Sequence, residues 1–117
     1  NEAEVMIKNG YQFNWKDAIR MPAQEFMNRF FAQKGYRDGL HGLTLSLLMA
    51  FYHLVVFIKV WEERGFTQVN GKEFLGTVET ETRNRTKDFR FWYLTSRLEE
   101  TKNLIKKIVL RLERKFL

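Results

Sequence analysis

Gly39-Leu-His-Gly-Leu-Thr-Leu-Ser-Leu-Leu-Met-Ala-Phe-Tyr-His-Leu-Val-Val-Phe-Ile58 decides the fold, because it holds no Asp, Glu, Lys or Arg across 20 residues. From Leu43 onward nearly every side chain is apolar. At about 1.5 Å per residue, a helix of this length reaches roughly 30 Å, the thickness of a bilayer's hydrocarbon core. The same run suits the buried helix of a soluble bundle equally well, since a chain this short must bury its most apolar helix somewhere. Gly39, His41 and Gly42 at its start and His53 within it interrupt the apolar pattern. Gly42, Ser46 and Ala50 stand four apart and form a small-residue stripe that lets another helix come close. Trp61, with Lys59 and Arg64 beside it, marks an amphipathic exit of the kind found at a membrane interface.

Upstream, residues 2–8 read as a short helix stopped by Asn9-Gly10. Asn14 is placed to cap the next segment, in which Trp15, Ile19, Pro22, Phe26 and Phe30 recur at steps of three and four. Met27 and Phe31 lie beside that stripe. Pro22 lacks an amide hydrogen and disfavours helical backbone at Met21, which predicts one helix over 15–20 and a second over 22–34. In the turn Gly35-Tyr36-Arg37-Asp38-Gly39-Leu40-His41-Gly42, Gly35 suits a left-handed helix end and Asp38 suits the cap of the apolar helix.

Downstream, residues 65–85 carry three glycines and many Thr and Asn, predicting a linker with a weak hairpin at Asn70-Gly71. Asn84-Arg85-Thr86 fits the N-glycosylation acceptor pattern, which is common by chance. From Thr86 to the end there is neither Gly nor Pro. Phe91, Leu94, Leu98, Thr101, Ile105, Ile108 and Leu112 alternate steps of three and four, the apolar seam of a heptad, widened by Val109 and Phe116. Lys102, Lys106, Lys107, Arg111, Arg114 and Lys115 take the other face. Residues 86–117 thus predict one long basic amphipathic helix, suited to a core-facing or a partner-binding role. The cluster Phe89-Arg-Phe-Trp92-Tyr suits a lipid headgroup boundary, base stacking or the end of a bundle. The fold class is all-α, with a long apolar central helix and a long basic C-terminal one.

The chain has 117 residues and a net charge of +6, enough for one modest domain. The charge is uneven: residues 1–82 carry nine Lys/Arg against ten Asp/Glu, whereas 83–117 carry eleven against four. An excess of cations confined to the last third points to an anionic partner, a phospholipid surface or a nucleic acid. The clustering of aromatics at 89–93 ranks nucleic acid behind the membrane. With no Cys, disulfides, thiolate zinc sites and thiol catalysis are excluded. There is no phosphate-binding Gly loop, nucleophile elbow or His-Glu-x-x-His. Glu62-Glu63 and Glu99-Glu100 read as solvated helix faces, and Asp38 with His41 as a cap and a neighbour. The first residue is Asn, and the chain reads as a piece of a longer protein.

Residues 21–62 carry a composite pattern: Pro22, Phe26, Gly35, Tyr36, Asp38, Gly39 and Gly42, then Ala50, Tyr52, Lys59, Trp61 and Glu62. It resembles the C-terminal region of bacterial family 2 glycosyltransferases of the lipopolysaccharide-core, heptose-glucosyltransferase-like branch. There a Pro-x-x-x-Phe segment leads through a Gly-aromatic-x-Asp-Gly-x-x-Gly turn into an apolar helix. The match covers about residues 1–64. The resemblance implies a parent that transfers sugar from a nucleotide-sugar donor, with Mg or Mn, to a lipid-linked or envelope glycan acceptor. The catalytic domain and its metal motif lie outside this chain, so no catalytic, cofactor or metal residue is carried over. What it implies for residues 1–64 is a membrane-associating scaffold that partners the catalytic domain at the cytoplasmic face of the plasma membrane and can self-associate. Phe30, Phe31, Lys59, Trp61, Trp92, Lys102, Lys106 and Arg111 are the expected membrane or interaction residues. Two alternatives stand beside it, a soluble helical oligomerisation module and a basic nucleic-acid-binding domain.

Overall fold

In the computed structural model, which describes residues 1–101 and 104–117, Pro22 sits inside a helix rather than between two. Helix α1 (Glu2–Lys8) is closed at its start by a reciprocal capping box between Asn1 and Glu4. Helix α2 (Asp17–Met27) runs straight through Pro22, which corrects the expected break. A proline there forfeits one backbone hydrogen bond, at a cost of about 3 kcal/mol. The packing of α2 between two long helices offsets it. The irregularity appears one turn later, as a π-helical turn (Asn28–Ala32) in which Gln33 N donates to Asn28 O at 2.8 Å. Asn14 acts just ahead of α2, its Oδ1 accepting from Lys16 N at 3.1 Å. A 3₁₀ turn (Gly35–Asp38) then leads into α3 (Gly39–Glu63), the charge-free run with its exit.

Helix α4 (Phe74–Glu100) begins inside the segment expected to be a linker, so the linker shrinks to 65–73, and there is no strand or hairpin among the described residues. The threonines that argued against helix are satisfied within it. Thr77, Thr80 and Thr86 hydroxyls donate to the carbonyls of Glu73, Gly76 and Thr82 at 2.9–3.0 Å. Glu79–Arg83 and Glu81–Arg85, each spaced four apart, add acid-before-base pairs along the same turns. The long C-terminal helix is also divided. Thr101 is extended (φ −98°, ψ 124°), and α5 (Leu104–Lys115) folds back on α4. The heptad seam from Phe91 to Leu112 is therefore two separate faces on two helices.

Helix α2 is the keel. Helices α1 and α2 pack on α3, α4 packs on α2 and the π turn, and the backbones of α3 and α4 do not approach one another closely among the described residues. The core lies where these layers meet, in Met27 and Phe31, Val56, Phe57 and Val60, and Leu94. An aromatic cluster extends it: Phe26 stacks on Phe30 at 5.3 Å, and Phe31 meets Phe30 and Phe89 edge-on at 5.1 Å. Arg20 clamps α2 to α4 through two hydrogen bonds to the Glu81 carboxylate, at 2.8 and 2.6 Å. The result is open. Its radius of gyration is 17.1 Å, where a compact chain of this length has about 13 Å. Its accessible surface is 8364 Å², about 1,600 Å² more than expected for a folded monomer of this mass.

Candidate functional site

Much exposed apolar surface lies on α3. Only 28% of its apolar window is buried. At about 100° per residue, Gly42, Met49, His53, Val56, Phe57 and Val60 share the half-cylinder that receives α1, α2 and the 3₁₀ turn. The other half presents Leu40, Leu47, Leu48, Phe51 and Ile58 to the outside, with the polar His41 and Thr44 exposed among them. Leu48 is 58% and Phe51 61% exposed. No charged side chain interrupts this face from Leu40 to Ile58, and Lys59 lies exposed at its far end. Isolated exposed leucines are ordinary, whereas a continuous apolar half-helix marks a surface that something covers. The periodicity had left core helix and membrane helix open. The structure covers one half of α3 and leaves the other half exposed.

The turn that precedes α3 is built by close backbone approach. A Cβ on Gly42 would stand 1.8 Å from Gly35 O, and one on Gly35 would stand 2.7 Å from Arg29 O. Gly39 holds φ +60° with ψ −135°, backbone that L side chains rarely adopt. The left-handed helix end falls on Lys34 (φ 61°) rather than on Gly35, whose role is space. Asp38 occupies the cap position of α3, but its side chain makes no cap hydrogen bond, contrary to expectation. Of the small-residue stripe, Gly42 and Ser46 are buried, and Ser46 Oγ donates to Gly42 O at 2.8 Å. The stripe receives the Gly35 backbone, so it serves an internal contact.

The turn is tethered to the far end of α4. Tyr36 donates its hydroxyl to Glu100 at 2.8 Å, and Arg37 donates to the same oxygen at 3.0 and 2.6 Å. Lys34 lies 3.6 Å from Glu99. The Glu99-Glu100 pair is thus a structural clasp and not simply a solvated face. The Arg37 guanidinium, and after it the Tyr36 hydroxyl, hold the Glu100 carboxyl below its ordinary pKa.

The expected interaction residues are dispersed. Phe31 is buried and Phe30 half-buried in the aromatic cluster, with Phe26 beside them, so the aromatics of this helix do not offer themselves to lipid; that expectation is corrected. Trp61 is half-buried, donates its indole N–H to Thr67 O at 2.8 Å and meets Phe66 edge-on, fastening the loop after α3. Trp92 is half-buried on α4. Lys106 and Arg111 are exposed on α5, and Lys102 lies outside the described residues. Pro22 is half-buried within α2. The expectation singled out Lys59 and Trp61 but missed the exposed residues of α3 itself, because which half of a uniformly apolar helix is covered depends on where its neighbours dock.

No group of three or more metal-ligating side chains converges among the described residues. What the arrangement offers is exposed apolar surface and charge. No family model, curated protein or solved structure matches the chain.

Proposed function

We propose that this chain is a membrane-seating helical unit, and that α3 lies along the bilayer interface with its bare half-cylinder in the hydrocarbon. The observation that carries this is the exposed face of Leu40, Leu47, Leu48, Phe51 and Ile58, which holds no Asp, Glu, Lys or Arg from Leu40 to Ile58. Its 25 residues give a helix of roughly 37 Å, long enough to span. Spanning would drag the opposite face inside as well. There α2 lies along α3 with Arg20, Glu25 and Arg29, and each charge at the bilayer centre costs about 2.5–3.5 kcal/mol even on the mildest scale. Lying in plane leaves α2 and α4 on the aqueous side and buries a mainly apolar face with no Asp, Glu, Lys or Arg from Leu40 to Ile58.

The partner held at the surface is, in this reading, the sugar-transferring domain of a family 2 glycosyltransferase, using a nucleotide-sugar with Mg or Mn at the cytoplasmic face of a bacterial inner membrane. The tightly packed Gly35–Gly42 turn supports this part, since it gives physical reasons for the glycines on which the resemblance rests. A surface seat suits an enzyme whose acceptor is lipid-linked, because it confines both to two dimensions. Flotation with neutral phosphatidylcholine vesicles tests the seat. The chain floats, and Leu48→Ser/Phe51→Ser sharply reduces flotation without loss of helicity. Failure of the parent sequence to float, or flotation indifferent to the double substitution, rejects it. An Asp-x-Asp-bearing α/β domain encoded upstream of Asn1 tests the glycosyltransferase part separately.

A further inference from the structure

Helix α5 is mounted with its polar side inward. It meets α4 through Glu113, which accepts from Arg90 Nη2 at 2.9 Å, and through Arg114, whose Nη1 donates to Thr95 at 3.1 Å and whose guanidinium lies 5.5 Å from the Phe91 ring centre. Leu110, one turn before Arg114, is buried. At about 100° per residue, Ile105, Ile108, Val109, Leu112 and Phe116 fall within one arc of roughly 100°, nearly opposite Leu110 and Arg114. All five are exposed, Ile105 to 73% and Phe116 to 79%. The most amphipathic helix of the chain therefore turns its apolar stripe away from the protein.

We propose that α5 is a second membrane-contacting element, an in-plane helix that selects anionic phospholipids. Arg111 and Lys115 border the stripe on one side, the positions from which long cationic side chains reach headgroups while the stripe sits among acyl chains. Residues 104–117 hold five Lys/Arg and one Glu, and that Glu113 is already paired with Arg90. This charge decides between the two occupants an apolar stripe admits. A second copy would set one +4 helix against another, whereas an anionic bilayer gains from each cation. The proposal rests on a different helix from the α3 seat and does not require it.

The test is flotation of the full chain with phosphatidylcholine vesicles and with phosphatidylcholine–phosphatidylglycerol vesicles, at low and high salt. The wild-type chain partitions at least ten-fold more strongly onto the anionic vesicles at low salt, and the excess falls as salt rises. Ile108→Ser/Leu112→Ser and Arg111→Glu/Lys115→Glu each abolish that excess. Because the altered side chains are exposed, helicity by circular dichroism and flotation on neutral vesicles stay unchanged. The proposal is overturned if the wild type partitions equally onto both lipids, if both double variants keep the anionic preference, or if a disulfide from Ile108→Cys captures a lipid-independent dimer. Loss of neutral-vesicle flotation with an intact, α5-dependent anionic preference rejects the α3 seat alone.

Discussion

Replacing Gly42 with Ala places a methyl group 1.8 Å from Gly35 O and 2.7 Å from Gly35 C. Both are backbone atoms, so no side-chain rotation relieves the clash. Ordinary contact requires the 3₁₀ turn and α3 to separate by roughly 1.5 Å, while Tyr36 and Arg37 remain tied to Glu100. Overpacking of this kind costs about 1–3 kcal/mol and more when backbone must move, so Gly42→Ala falls at about 3 kcal/mol or above. Two other glycines calibrate it. Gly39 has open space around its Cβ position but φ +60°, so Gly39→Ala costs about 1–3 kcal/mol of backbone strain alone. Gly76 lies within α4 with nothing near it, and Gly76→Ala stabilises by about 0.5–1 kcal/mol. Urea denaturation followed by circular dichroism at matched detergent gives the order Gly42→Ala, Gly39→Ala, wild type, Gly76→Ala, from least to most stable. A Gly42→Ala protein as stable as the wild type refutes the close packing of turn and helix.

Glu81 is 4% exposed, and its hydrogen bonds from Arg20 hold its carboxyl below the ordinary value of 4.5. The stability it contributes is complete above that value and is lost as pH falls through the lowered one, so the wild type weakens in acid. Glu81→Gln is less stable at neutral pH and flattens that acid dependence, read by denaturation at stepped pH. Tyr11, desolvated and hydrogen-bonded to Asp17 at 2.5 Å, is pushed up to about 12. Its neutral form is favoured in the fold, so that contribution is lost as pH rises from about 10 toward the folded value. Tyr36 and Tyr52 are raised too, by burial and the Glu100 hydrogen bond and by the Glu2 carboxylate, so ultraviolet absorbance will show several tyrosinates titrating late, and Tyr11→Phe will remove one of them. Arg37→Ala removes two of the three hydrogen bonds that tie the turn to Glu100, and hydrogen exchange at residues 34–38 should rise several-fold while α2 is unaffected.

The all-α class and the long apolar helix were legible from periodicity and the charge-free run. Three features were not. Pro22 reads locally as a break, yet α2 is held on two sides and continues through it. Thr77 and Thr80 read as turn formers, yet their hydroxyls bond back to the helix and its Glu–Arg pairs supply the rest. The seam from Phe91 to Leu112 keeps perfect helical spacing across Thr101, where the backbone is extended, because periodicity carries no record of a reversal between helices. At the candidate surface, Lys59 and Trp61 could be picked out from their neighbours. The exposed face of α3 could not, since its two halves differ little in hydrophobicity. Small residues at 42 and 46 were the signal that marked the covered half.

Native cysteine is absent, so single cysteines carrying spin labels can be placed along α3 without background. With the chain on neutral bilayers, labels at Leu47, Phe51, Val55 and Ile58 should all sit about 5–10 Å below the headgroups, in oxygen-rich hydrocarbon, at one common depth. A label at Glu25 on α2 should stay in water. A depth that runs from one leaflet through the midplane to the other, or labels on α3 as water-exposed as the one on α2, would contradict an in-plane seat.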